Sequence, residues 1–209
     1  MRGRGARLIR ATLAKAALAL YRTRFEGAER IPEGGAILAP NHVSYLDPVL
    51  VWCGTPRPTH FMAKAELWDV PVVGWALPRL WAFPVRRGEA DRTAIATATE
   101  RLSAGELVGI FPEGTRQRGG SDDLGEANEG VAFIAMRAGV PVVPVGIAGT
   151  ERAMPPGARL PRFPKVRVWY GRPVDPTDFA DGSRKERVAA MTEAIMDAIR
   201  EARARAREM

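Results

Sequence analysis

The chain has 209 residues, 46% of them apolar and 26% charged, the balance of one globular domain with its own core. That composition excludes a disordered tail, a collagen and a coiled-coil rod. The 31 Lys and Arg against 24 Asp and Glu give a net charge of +7, and the excess is local.

Residues 1–24 hold Arg2, Arg4, Arg7, Arg10, Lys15, Arg22 and Arg24 and no acid; the other 24 basic residues match the 24 acids of 25–209. A cationic N-terminal segment therefore precedes a formally neutral body. Residues 6–21 are rich in Ala and Leu, which favours a helix. Leu8/Ile9, Thr12/Leu13, Ala16/Ala17 and Leu20/Tyr21 recur at helical spacing on one face. The segment is too charged for a span and fits a signal peptide poorly. It reads as a basic amphipathic helix that lies on a membrane surface, or that docks on its own domain with a solvated basic face.

Beyond it, strands are expected at 36–39, 59–62, 81–85, 107–111, 142–147 and 166–170. Helices are expected at about 47–53, 70–79, 91–104, 129–138 and 184–206. Short apolar strands separated by helices imply an α/β domain with a mostly parallel central sheet. Residues 1–24 form a membrane-association segment in this reading, and 25–209 the domain. Proline in the apolar run 140–145 points to an edge strand or a bulge near a site. Cys53, the one cysteine, gives no internal disulfide and no sign of secretion; within the apolar run 49–53 it reads as a small buried hydrophobe.

Four short constellations carry the chemistry. In Asn41-His42-Val43-Ser44-Tyr45-Leu46-Asp47-Pro48, His42 follows an apolar strand and a helix opens at Ser44 or Asp47, through a capping box or an Asp47-Pro48 start. On one continuous helix His42 and Asp47 would lie roughly 140° apart. With His42 in the turn, its imidazole can fold back on the carboxylate, an arrangement in which the acid orients the ring and the free nitrogen takes a proton. A capping Asp beside an incidental His accounts for the same spacing. His60, the other histidine, sits in an apolar strand and reads as structural. Phe83-Pro84-Val85-Arg86-Arg87-Gly88 places two arginines at a strand end. Phe111-Pro112-Glu113-Gly114-Thr115-Arg116 leaves another strand and offers a carboxylate and a guanidinium fork. It lacks the Gly-Lys-Ser/Thr of a P-loop. The fourth is Val143-Pro144-Val145.

In this order and spacing the blocks resemble the lysophosphatidic acid acyltransferase family, over about residues 24–175. The resemblance implies an α/β acyltransferase with His42 as general base and Asp47 orienting it. It implies that Arg87 and Arg116 hold the phosphate of a lysophospholipid acceptor, and that Glu113, Gly114 and Thr115 help bind that substrate. The donor is acyl-CoA or acyl-carrier protein, with no cofactor and no metal. The implied place is the cytoplasmic face of the cell membrane, held peripherally by an anionic surface. One departure stands out. The family commonly carries a basic residue before the glycine near position 130, where this chain has Asn128-Glu129-Gly130, so the acceptor headgroup can differ from plain lysophosphatidic acid.

Residues 61–75, rich in Trp and aliphatics, either line an acyl groove, touch a bilayer or form ordinary core. Other acceptors (glycerol 3-phosphate or an amino-acid-based lyso-lipid) and a water-using thioesterase share the dyad. A nucleic-acid-binding module rests on the +7 alone, and with a neutral body and no helix-turn-helix signature no nucleic-acid partner is expected.

Overall fold

The computed structural model describes residues 4–86, 91–114, 124–125, 127–153 and 162–209, with backbone alone for 4–10 and 17. In chain order the elements are α1 (Arg4–Tyr21), β1 (Arg24–Glu26), β2 (Ala36–Pro40), α2 (Asp47–Gly54), β3 (Thr59–Lys64), α3 (Pro71–Ala76), β4 (Phe83–Val85), α4 (Arg92–Ser103), β5 (Leu107–Gly109), α5 (Gly130–Ala138), β6 (Val142–Ala148), β7 (Arg167–Tyr170) and α6 (Arg184–Glu208). The strands form one sheet in the order β1-β7-β6-β2-β5-β3-β4. Every neighbouring pair is parallel except β6 with β7. The fold is therefore α/β with a mostly parallel central sheet.

Strands β2, β5 and β6 are buried at every position, as expected of parallel strands covered on both faces. One face packs Ala98, Leu102, Val131, Ala135, Met191, Ile195 and Ile199 from α4, α5 and α6 against Ile37, Val108 and Val142. The other packs Leu50, Val51 and Trp52 of α2 against Leu38, Val143, Val145 and Tyr170, with Leu13 and Tyr21 of α1 at its margin. Helix α6 starts in a full capping box between Ser183 and Glu186, which satisfies two backbone donors that the first turn cannot pair. At the N-terminal edge of the sheet the Arg57 guanidinium donates to the carbonyls of Pro32 (2.6 Å), Gly34 and Gly105, tying together the loops that enter β2 and β5. Burial lowers the Arg57 pKa from its ordinary value, and Glu33 opposes that shift.

Several expectations change. Pro144 is not on an edge strand, since β6 lies between β2 and β7, but it does lie at a bulge: Val145 pairs with Tyr170 while Val142 bridges Val174, one residue out of that register. The ladder tolerates it because β7 ends at Tyr170, where the Gly171 N–H donates to the Pro144 carbonyl at 2.8 Å, and pairing resumes at an isolated bridge between Val142 and Val174. Pro84 does lie in an edge strand, β4. The expected helix 70–79 is divided into α3 and a 3-10 turn, Leu77–Leu80, and the strand expected from Trp81 begins at Phe83 because Trp81 adopts φ 57°. Cys53 is half-buried against the second core rather than enclosed. The tract around α3 is not core: Val72 is 77% exposed and Trp75 64%. The three-residue β1 had not been expected.

Candidate active site

The adjacent parallel strands β6, β2 and β5 end side by side, and each delivers site residues from its C-terminal end, where α/β sheets place their ligand loops. His42 follows β2 by two residues, Glu113 follows β5 by four and Thr150 follows β6 by two. Asn41, fully buried, extends the ladder with its side chain: its Nδ2 donates to the Ile147 carbonyl at 3.1 Å and its Oδ1 accepts the Ile147 N–H at 2.7 Å. That pair fixes the chain where it leaves β2 toward His42.

Asp47 opens α2 with Pro48 behind it, and Leu46 holds the N-cap position. The expected capping box is half made. Asp47 Oδ2 accepts the Ser44 N–H at 2.6 Å, while Ser44 Oγ accepts from Leu46 N–H, at 3.3 Å, instead of from Asp47. The same Oδ2 accepts the Val43 N–H at 2.8 Å and lies 3.0 Å from His42 Nδ1. Asp47 Oδ1 accepts the Thr150 hydroxyl at 2.7 Å. Asp47 is wholly buried, and burying a carboxylate costs several kcal/mol unless donors surround it; here four do.

The tautomer of His42 follows. A carboxylate oxygen that collects two backbone N–H groups is an acceptor, so Nδ1 carries the ring proton and donates to it. Nε2 keeps its lone pair and can take a proton. Phe111 packs on the ring, with centroids 4.0 Å apart and planes tilted 30°. Phe61 backs Phe111 at 5.9 Å, so the imidazole is held on one side by the carboxylate and on another by aromatic packing. The His42 side chain remains 12% exposed.

Glu113 belongs to this frame. Its Oε1 accepts the backbone N–H of His42 at 2.9 Å and its Oε2 accepts the Gly125 N–H at 3.3 Å. It is 8% exposed. Gly114 follows with φ 63°, turning the chain past the site. Thr115, Arg116 and Arg87 lie outside the described residues. Asp91 bonds the backbone on both sides of it, with Oδ2 accepting the Arg86 N–H at 2.8 Å and Oδ1 the Ala94 N–H at 3.0 Å; those backbone bonds lower its pKa. His60 pairs with Glu106 at 3.2 Å, consistent with a structural role. Among the described residues, no group of three or more His, Cys, Asp or Glu is arranged to hold a metal. Thr150 was missed by sequence reasoning; a hydroxyl just past a buried strand of the same sheet is the signal that could have found it.

Comparisons with known proteins identify the family. The family model described as Acyltransferase matches residues 22–148. The chain is 35% identical to a 1-acyl-sn-glycerol-3-phosphate acyltransferase of Bacillus subtilis over 175 residues, 83% of this chain and 84% of that one. It is 34% identical to a lyso-ornithine lipid O-acyltransferase of Pseudomonas aeruginosa over 151 residues, 71% of this chain and 56% of that protein. The crystal structure of the 1-acyl-sn-glycerophosphate acyltransferase PlsC from Thermotoga maritima superposes with a TM-score of 0.73 at 30% identity, covering 98% of this chain and 84% of that one. The chain belongs to the acyltransferase family that includes the 1-acyl-sn-glycerol-3-phosphate acyltransferases, and it is an acyl-transferring enzyme of that family.

Proposed function

We propose that the enzyme transfers a fatty acyl group from acyl-CoA or acyl-carrier protein to the free hydroxyl of 1-acylglycerol-3-phosphate, forming phosphatidic acid. The observation that carries this reading is the His42–Asp47 pair, oriented with Nε2 available, at the C-terminal ends of the central strands. His42 Nε2 removes the acceptor's hydroxyl proton as its oxygen attacks the thioester carbonyl. The tetrahedral intermediate collapses, the C–S bond breaks, and the thiolate takes the proton back from the imidazolium. Asp47 stays anionic and stabilises that imidazolium. No cofactor and no metal enters these steps.

Arg87 and Arg116 hold the acceptor phosphate in this reading, with Thr115 and Gly114 contributing to the same substrate site. Glu113 frames the turn that carries His42. The cationic segment 1–24 holds residues 25–209 against an anionic membrane as a peripheral protein at its cytoplasmic face. In support, among the described residues no helix is long and apolar enough to cross a membrane, and Leu18 and Leu20 of α1 are about half exposed, at 46% and 52%.

A second acceptor has specific support. The relative that acylates lyso-ornithine lipid by its name, and Glu129 where a basic residue is usual, favour an amino-acid-based lyso-lipid as the competing acceptor. Purified enzyme offered palmitoyl-CoA or palmitoyl-carrier protein with 1-acylglycerol-3-phosphate, lyso-ornithine lipid or glycerol 3-phosphate separates these readings by product mass. Phosphatidic acid as the dominant product supports the proposal. Acylated ornithine lipid in its place transfers the reading to the second acceptor, and free fatty acid alone refutes both.

A further inference from the structure

Thr150 is 1% exposed, and its hydroxyl reaches across 103 residues of sequence to Asp47 Oδ1 at 2.7 Å. We propose that Thr150 is a positioning residue for acyl transfer: its hydroxyl sets the rotation of the Asp47 carboxylate that orients His42. The inference rests on His42 acting as the general base.

The argument begins with the two oxygens of Asp47. Oδ2 is held by its own turn, through His42 Nδ1 and the N–H groups of Val43 and Ser44. Those three donors all lie on residues 42–44, within the turn that carries the dyad. Oδ1 takes its donor from the end of β6, a strand in the middle of the sheet. Thr150 thus registers the carboxylate against the scaffold.

The turn bearing Thr150 is built to hold it. Gly149 sits at φ 101°, and a Cβ there would come within 2.2 Å of the Lys165 carbonyl oxygen; only glycine fits such a position without strain. Glu151 Oε2 accepts the Gly149 N–H at 2.8 Å. The hydroxyl emerges from a pinned turn.

The chemical consequence follows from how donors act on a carboxylate. During transfer Nε2 gains a proton and Nδ1–H faces Oδ2 as part of an imidazolium. Asp47 has to stabilise that cation without taking its proton. A donor on Oδ1 stabilises the anionic carboxylate. Removing it leaves a buried acceptor unpaired and frees the carboxylate to rotate away from the geometry in which Oδ2 meets Nδ1–H.

The test is a series at this position in the full chain, Thr150→Ser, Thr150→Cys and Thr150→Val, assayed with 1-acylglycerol-3-phosphate and palmitoyl-CoA across pH, beside His42→Ala. Thr150→Val is expected to lower kcat about tenfold or more with both KM values within about threefold, the split that marks lost transition-state positioning. Thr150→Ser keeps kcat within about threefold and Thr150→Cys, a weaker donor, falls between. If the valine variant does not fold by thermal unfolding, the cysteine variant carries the same comparison. Wild-type kcat in the valine or cysteine variant, a loss carried by KM instead of kcat, or a serine variant as slow as valine overturns the proposal. Activity surviving in His42→Ala refutes the general base instead, so the two failures are distinct.

Discussion

The Glu113 carboxylate accepts the backbone N–H of His42 at 2.9 Å, so a residue 71 positions away in sequence holds the main chain that carries the imidazole. Its second oxygen accepts the Gly125 N–H at 3.3 Å. Both oxygens serve protein backbone. Glu113→Gln keeps the shape but offers one acceptor oxygen where two are used. We expect it to cost about 1–3 kcal/mol of stability, the range for leaving a buried donor unpaired. Its kcat is expected to fall about tenfold with the acceptor KM within about twofold. Steady-state kinetics check this: a raised acceptor KM at normal kcat would instead place Glu113 on the substrate.

Gly109 links packing to the same ring. A Cβ built there would lie 2.2 Å from Phe61 Cε1. Phe61 is 6% exposed and stacks toward Phe111, which packs on His42. Gly109→Ala therefore pushes a buried aromatic series toward the imidazole. Overpacking of this kind costs about 1–3 kcal/mol. A chain of this length converts each kcal/mol into a fall of about 2–4 °C in Tm. Thermal unfolding and kcat measured together check the link: both fall if the aromatics transmit the displacement, and Tm alone falls if Phe61 moves elsewhere.

Asp91 caps α4 and holds the Arg86 N–H, and those bonds depress its pKa. A group whose folded pKa is lowered adds stability above its unfolded value of 3.8, and that stability is lost as pH falls through the folded value. Asp91→Ala should cost about 1 kcal/mol, as loss of an N-cap does. The Tm difference from wild type should be full at pH 6 and shrink below pH of about 4. A difference that stays constant down to acid unfolding would show that the charge of Asp91 is not what caps the helix.

The basic segment gives a membrane prediction. Arg7, Arg10 and Lys15 replaced together by Gln remove three charges, each worth about 1 kcal/mol near an anionic surface. Affinity for phosphatidylglycerol vesicles should drop by roughly 100-fold at low salt. Binding to neutral vesicles should not change. Co-sedimentation measures both, and equal binding of the two proteins to anionic vesicles removes the electrostatic anchor.

What could be read from the sequence was what is local. His42 and Asp47 are five residues apart across a strand-to-helix turn, so strand hydrophobicity and a helix start allowed them to meet, and the resemblance of the motif set chose that reading over an incidental His. Thr150 and Glu113 reach that pair through the parallel register of β2 with β6 and of β2 with β5. No short-range pattern encodes that register. The buried central strands announced themselves as apolar runs; β1, three residues with one half-buried side chain between two exposed ones, offered no such signal. Of the two readings Pro144 allowed, the bulge holds and the edge does not. That β6 lies between β2 and β7 is a tertiary fact. Composition left the tract around Val72 and Trp75 open between groove, bilayer contact and core, and only the fold shows both side chains largely exposed on α3.

The central claim is that His42, oriented by Asp47, moves the proton that lets an acceptor hydroxyl attack an acyl thioester. The most direct measurement is thiol release from palmitoyl-CoA by wild type and His42→Ala with 1-acylglycerol-3-phosphate present, the product identified by mass. The account predicts one phosphatidic acid per thiol for wild type, and for folded His42→Ala a loss of at least about 100-fold in rate, the scale of a general-base contribution. A folded His42→Ala enzyme that makes phosphatidic acid at the wild-type rate would contradict it.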